Sequence, residues 1–371
     1  MVDGFLLFTI LDVWRMVLPL GLTLILFVTE TLKRWHGDSF YQGIRDVLSH
    51  LVFRLTLSLF LISGIVGLLV PSVLGYPVPE SHIAVGPWGY EEIWGFVLGG
   101  VCLWRSCQGD ARGIHASLAW IGAAAVVFLA VGVFWIGRWD LMANEGNVPA
   151  GWFIMEISTL DWTRVIPKSF HLLFSSLAAG GVMVTFLGLL GWFEGRAGAT
   201  SSIPCFRPIP SPEIIRYGVG WILSGVVPQM LIGPWLFLVS GEVPRGGLID
   251  GSGLASALFF VSVMAALVAL VLLNASFMVP HVTGLVWGGL ISVMITLVLM
   301  GMIRYVMFVA TLYSKVIPVA IGSVTPFHFL AVLVLTALLV AILYRWCVRP
   351  LHALFPRSSS TERLDKGLSA I

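Results

Sequence analysis

The sequence predicts an all-α integral membrane protein with nine transmembrane helices. Three observations carry that prediction. The 371 residues are 58% hydrophobic and only 11% charged, against about a quarter charged in a soluble domain. The apolar residues fall in blocks long enough for the roughly 20 residues that one helical bilayer crossing takes. The few Lys and Arg gather between those blocks, unevenly on the two sides. This composition excludes an ordinary soluble enzyme, a disordered chain and a nucleic-acid-binding domain. A net charge of +2 gives no field for an acidic polymer as partner.

Apolar length, bounded by Gly, Pro and charge clusters, places the nine spans at about 6–31, 49–70, 88–104, 115–137, 168–194, 213–239, 253–279, 283–308 and 323–347. The first has no basic leader or small-residue cleavage site and reads as a retained span. The third is short and opens at Pro87, Trp88 and Gly89. The sixth is interrupted by Pro228 and Pro234. A polytopic domain thus covers 1–355, with helices 1–4 at about 6–137, helices 5–9 at about 168–347, and a polar tail over 356–371. No internal repeat is visible.

Orientation follows from the loops. Lys33, Arg34, Arg45, Arg105, Arg112, Arg196, Arg207, Arg216 and the five cations from Arg345 to Lys366 fall on one side. Arg138, Arg164, Lys168, Arg245, Arg304 and Lys315 fall on the other. The richer side is expected in the cytoplasm, leaving the N-terminus outside and the C-terminus inside a bacterial inner membrane. The longer loops, 71–87 and 138–167, then face outward. Cys102, Cys107, Cys205 and Cys347 form no CxxCH, so covalent c-type haem attachment has no support, and Cys102 and Cys107 read as plain helix-end thiols.

Ionisable groups in apolar spans are expensive, so each is a functional candidate. Asp12 and Arg15 share a face of the first span, where they can neutralise one another or serve a proton path or cofactor. Glu30, beside Lys33, reads as a solvated helix-end carboxylate or a polar group of the inner side. Glu91 and Glu92 open the third span, where the positive helix end favours carboxylates. Capping accounts for one of them; the other faces inward as a proton-handling candidate. His50, His115, His281 and His328 lie at span ends.

His171 is the most informative residue. It stands before Ser175, Ser176, Ala178, Ala179, Gly180 and Gly181, small residues that let a flat ring or another helix come close. An imidazole beside such a face suits axial haem ligation, or a hydrogen bond between helices. Met264 in the seventh span lies at a similar depth and is either core filler or a thioether ligand.

Four stretches resemble subunit I of the cytochrome bd quinol oxidases. The first is the hairpin FTILDVWRMVLPLGLTLILFVTETLKRWHGDSFYQGIRDVLSH, with Glu30, Thr31, Gly37, Asp38 and Tyr41. The second is GYEEIWGF. The third is GIHASLAWIGAAAVVFLAVGVFWIGRWDLMANEG, with Trp120, Phe134, Trp135 and Trp139. The fourth is TLDWTRVIPKSFHLLFSSLAAGG. Order and spacing hold over about the first 195 residues and fade afterwards. The resemblance implies two four-helix bundles, helices 1–4 and 5–8, with helix 9 peripheral. It also implies one low-spin b haem held by His171 and Met264 near the outer face. Several family features are missing: the histidine of helix 1, a second carboxylate where Gly99 and Gly100 stand, the Gly-Arg-Gln-Pro-Trp signature and the long quinol loop, here SGEVPRGGLIDGSG.

The expected function is therefore a membrane subunit of a respiratory electron-transfer complex, with no catalytic residues of its own. It would relay electrons through one haem b to or from a partner subunit, a homologous one included, or a periplasmic c-type cytochrome docking on 138–167 at Trp139, Trp152 and Trp162. Glu91, Glu92, Glu30 and Asp12 are its proton-handling candidates. The rivals are a haem-free structural subunit, a secondary transporter with the sixth span as its broken helix, and a subunit of a bd-like terminal oxidase.

Overall fold

Backbone groups inside a bilayer must be satisfied within their own segment, which leaves long apolar stretches the helix as the available form. A computed structural model describes residues 2–74, 87–108, 114–145, 161–190, 211–239 and 253–316. Among them there are eight helices and no strand. They are α1 (Val2–His36), α2 (Ser39–Leu74), α3 (Pro87–Gln108), α4 (Ile114–Glu145), α5 (Trp162–Leu189), α6 (Ser211–Val239), α7 (Leu254–Met278) and α8 (Thr283–Val316). Six are long and apolar enough to cross a membrane: α1, α4, α5, α6, α7 and α8. This is a multi-pass membrane protein by helix length and composition. The predicted ninth span, 323–347, and the tail lie outside the described residues.

Several helices overrun the apolar blocks that reveal them. The first turn shows why. Gly37 adopts φ 62° and its N–H returns to the Lys33 carbonyl at 2.9 Å, closing α1 with a left-handed residue. Asp38 then accepts from the Phe40 N–H at 2.9 Å, so α2 starts at Ser39, ten residues before its apolar block. α4 likewise runs on to Glu145, and α5 opens at Trp162 on an Asp161 cap. The segment expected as a loop over 138–167 is therefore largely helical at both ends, with Trp139 inside α4 and an exposed Trp162 at the first position of α5. Trp152 lies outside the described residues.

The packing forms two groups of four helices. α1, α2, α3 and α4 pack on one another, and α1 and α4 also meet α5. Their core is built from Leu20, Leu22, Ile25, Ile44, Leu48, Leu51, Leu103 and Ile121. A second core joins Ile215, Val219 and Ile222 of α6 to Ala269 and Leu273 of α7 and Val286, Leu290 and Val293 of α8, with Val182 and Leu189 of α5 against it. α5 thus belongs to both cores.

Small residues set how closely α5 is held. A Cβ on Gly21 of α1 would run into the Ser176 carbonyl of α5, and one on Gly180 would meet the α1 backbone at Gly21 and Leu22. On the other side, Cβ atoms on Gly181, Gly218 and Gly225 would strike backbone across the α5–α6 seam. Close backbone approach of this kind is how membrane helices gain van der Waals contact without a hydrophobic drive between them.

Candidate functional site

Three polar clusters stand out in an otherwise apolar interior. At the Gly37 end, Glu30 is only 2% exposed. Arg34, one turn on, reaches its Oε1 through Nη2 at 3.1 Å and Nε at 3.2 Å. Arg45 of α2 brings its Nε to Oε2 at 3.2 Å, an ion pair rather than an aligned hydrogen bond. Arg45 also holds Asp46 at 2.9 Å and the Ser117 hydroxyl of α4 at 3.3 Å. The expectation of a solvated Glu30 beside Lys33 is thereby corrected. The early start of α2 carries Arg45 on to a helix face that covers the carboxylate.

The neighbouring Thr29 extends this cluster to α6. Its hydroxyl donates to the Ile25 carbonyl at 2.6 Å, leaving the oxygen to accept from the Tyr217 hydroxyl at 2.8 Å. Tyr217 packs edge-on against Phe40, Tyr41 and Trp221, with ring centroids 5.9, 6.3 and 6.1 Å away. Four helices, α1, α2, α4 and α6, are tied together at this end.

The second cluster lies toward the Asp161 end. Arg15 donates from Nη2 to Glu92 Oε2 at 2.8 Å, and its guanidinium sits 5.4 Å from the Phe96 ring centroid, within cation–π range. Phe96 stacks on Phe60 and lies tilted against Phe128, each with ring centroids 5.7 Å apart. Of the two carboxylates opening α3, Glu92 is buried and turned to α1. The Asp12 and Glu91 side chains lie outside the description.

The third cluster lies where α5 meets α6. His171 is half-buried on α5. One turn further, Ser175 accepts from Gln229 Nε2 of α6 at 2.8 Å, next to Pro228. Phe170 and Trp235 flank the same end, 6.3 Å apart. The small residues after His171 seat backbone: Ser176 and Gly180 against α1, Ala178 and Gly181 against α6. They leave no slot there for a flat ring. Met264 is 60% exposed, on a flank of α7 away from the buried Ser262, Ala269, Leu273 and Ser276. A haem between His171 and Met264 is what the resemblance implies; the described residues place His171 half-buried on α5 and Met264 exposed on α7.

His50 and His281 are exposed at the Gly37 end; the His115 side chain and His328 lie outside the description. Cys102 and Cys107 are free thiols, the latter directed to the Ser49 carbonyl at 3.5 Å, in keeping with the plain reading. Among the described residues no group of three or more His, Cys, Asp or Glu is placed to hold a metal ion.

Arg45, Ser117, Thr29, Tyr217 and Gln229 were not singled out by their sequence. Arg45 had a usable signal, since the Gly37–Asp38 turn fixes where α2 begins. Gln229 had another, as the amide next to a proline in an apolar span. No known family model matches the chain, and no curated protein does.

Proposed function

We propose that the chain is a multi-pass subunit of a bacterial inner-membrane respiratory electron-transfer complex, with the scaffold of cytochrome bd subunit I and a framing role in the complex. The observation that carries this reading is the pair of four-helix groups joined through α1 and α5, in the order that the sequence resemblance implies. The internal pairing of the buried charges supports the framing role. Arg15 neutralises Glu92, and Glu30 lies between Arg34 and Arg45, so these carboxylates serve as interhelical ties. Electron transfer then belongs to partner subunits or to a periplasmic c-type cytochrome, and an oxygen-reducing site in this chain finds no support in its residues.

The second reading keeps one b haem in this chain. It is favoured by the half-buried His171 on α5, one turn before the Ser175–Gln229 contact with α6. His171 would be its ligand from this chain, with Met264 as the second ligand that the resemblance implies. Bound there, the haem would supply one-electron transfer; the chain would contribute the imidazole, a water-poor flank from Phe170 and Trp235, and the polar Ser175–Gln229 pair.

Affinity purification of the tagged chain from its native membrane tests both. The framing reading expects redox subunits to co-purify, while the separated chain gives no reduced-minus-oxidised haem spectrum. Purification without any redox partner overturns it. A haem band in the isolated chain that His171→Ala removes establishes the second reading; a band that survives His171→Ala rejects His171 as ligand.

A further inference from the structure

The flank where α6 meets α7 at the Gly37 end has a cation over an apolar collar. Arg216 of α6 is exposed. Its Nε donates to the Phe277 carbonyl at 3.1 Å, and its guanidinium lies 5.9 Å from the Phe277 ring centroid. Phe277 belongs to the last turn of α7, whose carbonyls have no partner further along the helix. A cation there is favourable against the negative helix end. That contact uses one of five N–H groups and fixes the side chain, leaving the Nη groups turned away from the carbonyl. Glu213, one turn earlier, forms no ion pair with Arg216 among the described residues.

Beneath the guanidinium the surface becomes apolar. Met278, Val279 and Val282 are exposed around the α7–α8 turn, and Val227 and Leu231 of α6 and Val268 and Val271 of α7 are exposed along the spans. α6 and α7 are also the two least buried of the six spans. A fixed guanidinium at the rim of a membrane-length apolar flank matches an amphiphile with an anionic head and hydrocarbon tails. His281, exposed in the α7–α8 turn, adds a second donor at the same end.

We propose that Arg216 is the headgroup anchor of a bound anionic phospholipid, its Nη groups on the phosphate and the acyl chains along the α6–α7 flank. A lipid is the occupant because α6 and α7 are both of membrane length and their exposed residues below the cation are apolar. Planar bidentate donation is what guanidinium brings to phosphate.

The test is native mass spectrometry of the full chain, released from detergent after titration with phosphatidylglycerol, phosphatidylcholine or inorganic phosphate. One phosphatidylglycerol should be retained in preference to phosphatidylcholine, and Arg216→Gln should weaken it about five-fold. Arg216→Lys, which keeps the charge without the fork, should fall between the two and serves as the control for folding. Equal retention of both lipids, or an Arg216→Gln protein that keeps its phosphatidylglycerol, overturns the proposal. So does displacement by millimolar inorganic phosphate, which would make this a free-anion site. Protection of the flank by a partner polypeptide in the native complex, with no lipid retained, also overturns it.

Discussion

Glu30 is the residue whose surroundings differ most from what its sequence context implies. Next to Lys33 and Arg34 at the end of an apolar block it looks interfacial, yet its carboxylate is buried between two guanidiniums from α1 and α2. Removing one member of a buried ionic set leaves the others uncompensated, which costs roughly 3–5 kcal/mol. Glu30→Gln is therefore expected to lower the thermal midpoint of the purified protein sharply, and adding Arg45→Met should recover part of the loss. A Glu30→Gln protein as stable as its parent would contradict the tie. Asp161 offers a pH test at the opposite end. The Thr163 hydroxyl first, then the Thr163 N–H and the charges of Arg164 and Lys168, hold its carboxyl below the ordinary carboxylate range. A lowered folded pKa gives support that is complete above the ordinary titration and is lost as pH falls through the lowered value. Protection of the Thr163 and Arg164 amides, at the first turn of α5, taken relative to their intrinsic exchange rates, should fall on acidification below that range. In Asp161→Asn, which retains a capping oxygen, that fall in protection should vanish.

At the scale of elements, the existence and order of the eight described helices were legible and their ends were not. Apolar length locates where a helix is in hydrocarbon. It is silent on polar turns beyond, so α2 began ten residues early and α4 ran eight residues past its block. The Gly37–Asp38 turn was the readable exception. The run of small residues after His171 was visible too, but a sequence does not say whether such a face receives a ring or a backbone. Here α5 is gripped from both sides, and that makes a sharp comparison between glycines. Gly21→Val would drive two γ carbons into the Ser176 carbonyl region of α5, where overpacking costs on the order of 1–3 kcal/mol or more. A Cβ on Gly233 of α6 would meet nothing within 4 Å, so Gly233→Ala should be neutral or stabilise by about 0.5–1 kcal/mol through helix propensity. Thermal midpoints of the two variants in the same detergent decide the matter; equal effects would mean that the α1–α5 crossing is not tight.

For the whole molecule, the open question of greatest consequence is which end faces the cytoplasm. The eight helices alternate in direction, so every end assignment follows from any one of them. The Gly37 end carries Lys33, Arg34, Arg45, Arg105 and Arg216, while the Asp161 end carries Arg138, Arg164, Lys168, Arg304 and Lys315. With Arg15 also at the Asp161 end, the helices and caps give the Gly37 end no excess of cations. The bias that orients the chain comes from Arg112, Arg196, Arg207 and the tail against Arg245. Cations close to span ends in short loops are the ones that weigh in the positive-inside rule, and Arg112 sits in the five-residue link 109–113. The Gly37 end should therefore be cytoplasmic. In a background with the four cysteines replaced, Asp161→Cys should react with a membrane-impermeant thiol reagent added to intact cells, and His281→Cys should react only after the cells are opened. The reverse pattern would invert the molecule. The Asp161 end, with His171, Phe170 and Trp235, would then face the cytoplasm, and a periplasmic cytochrome could no longer be its electron partner.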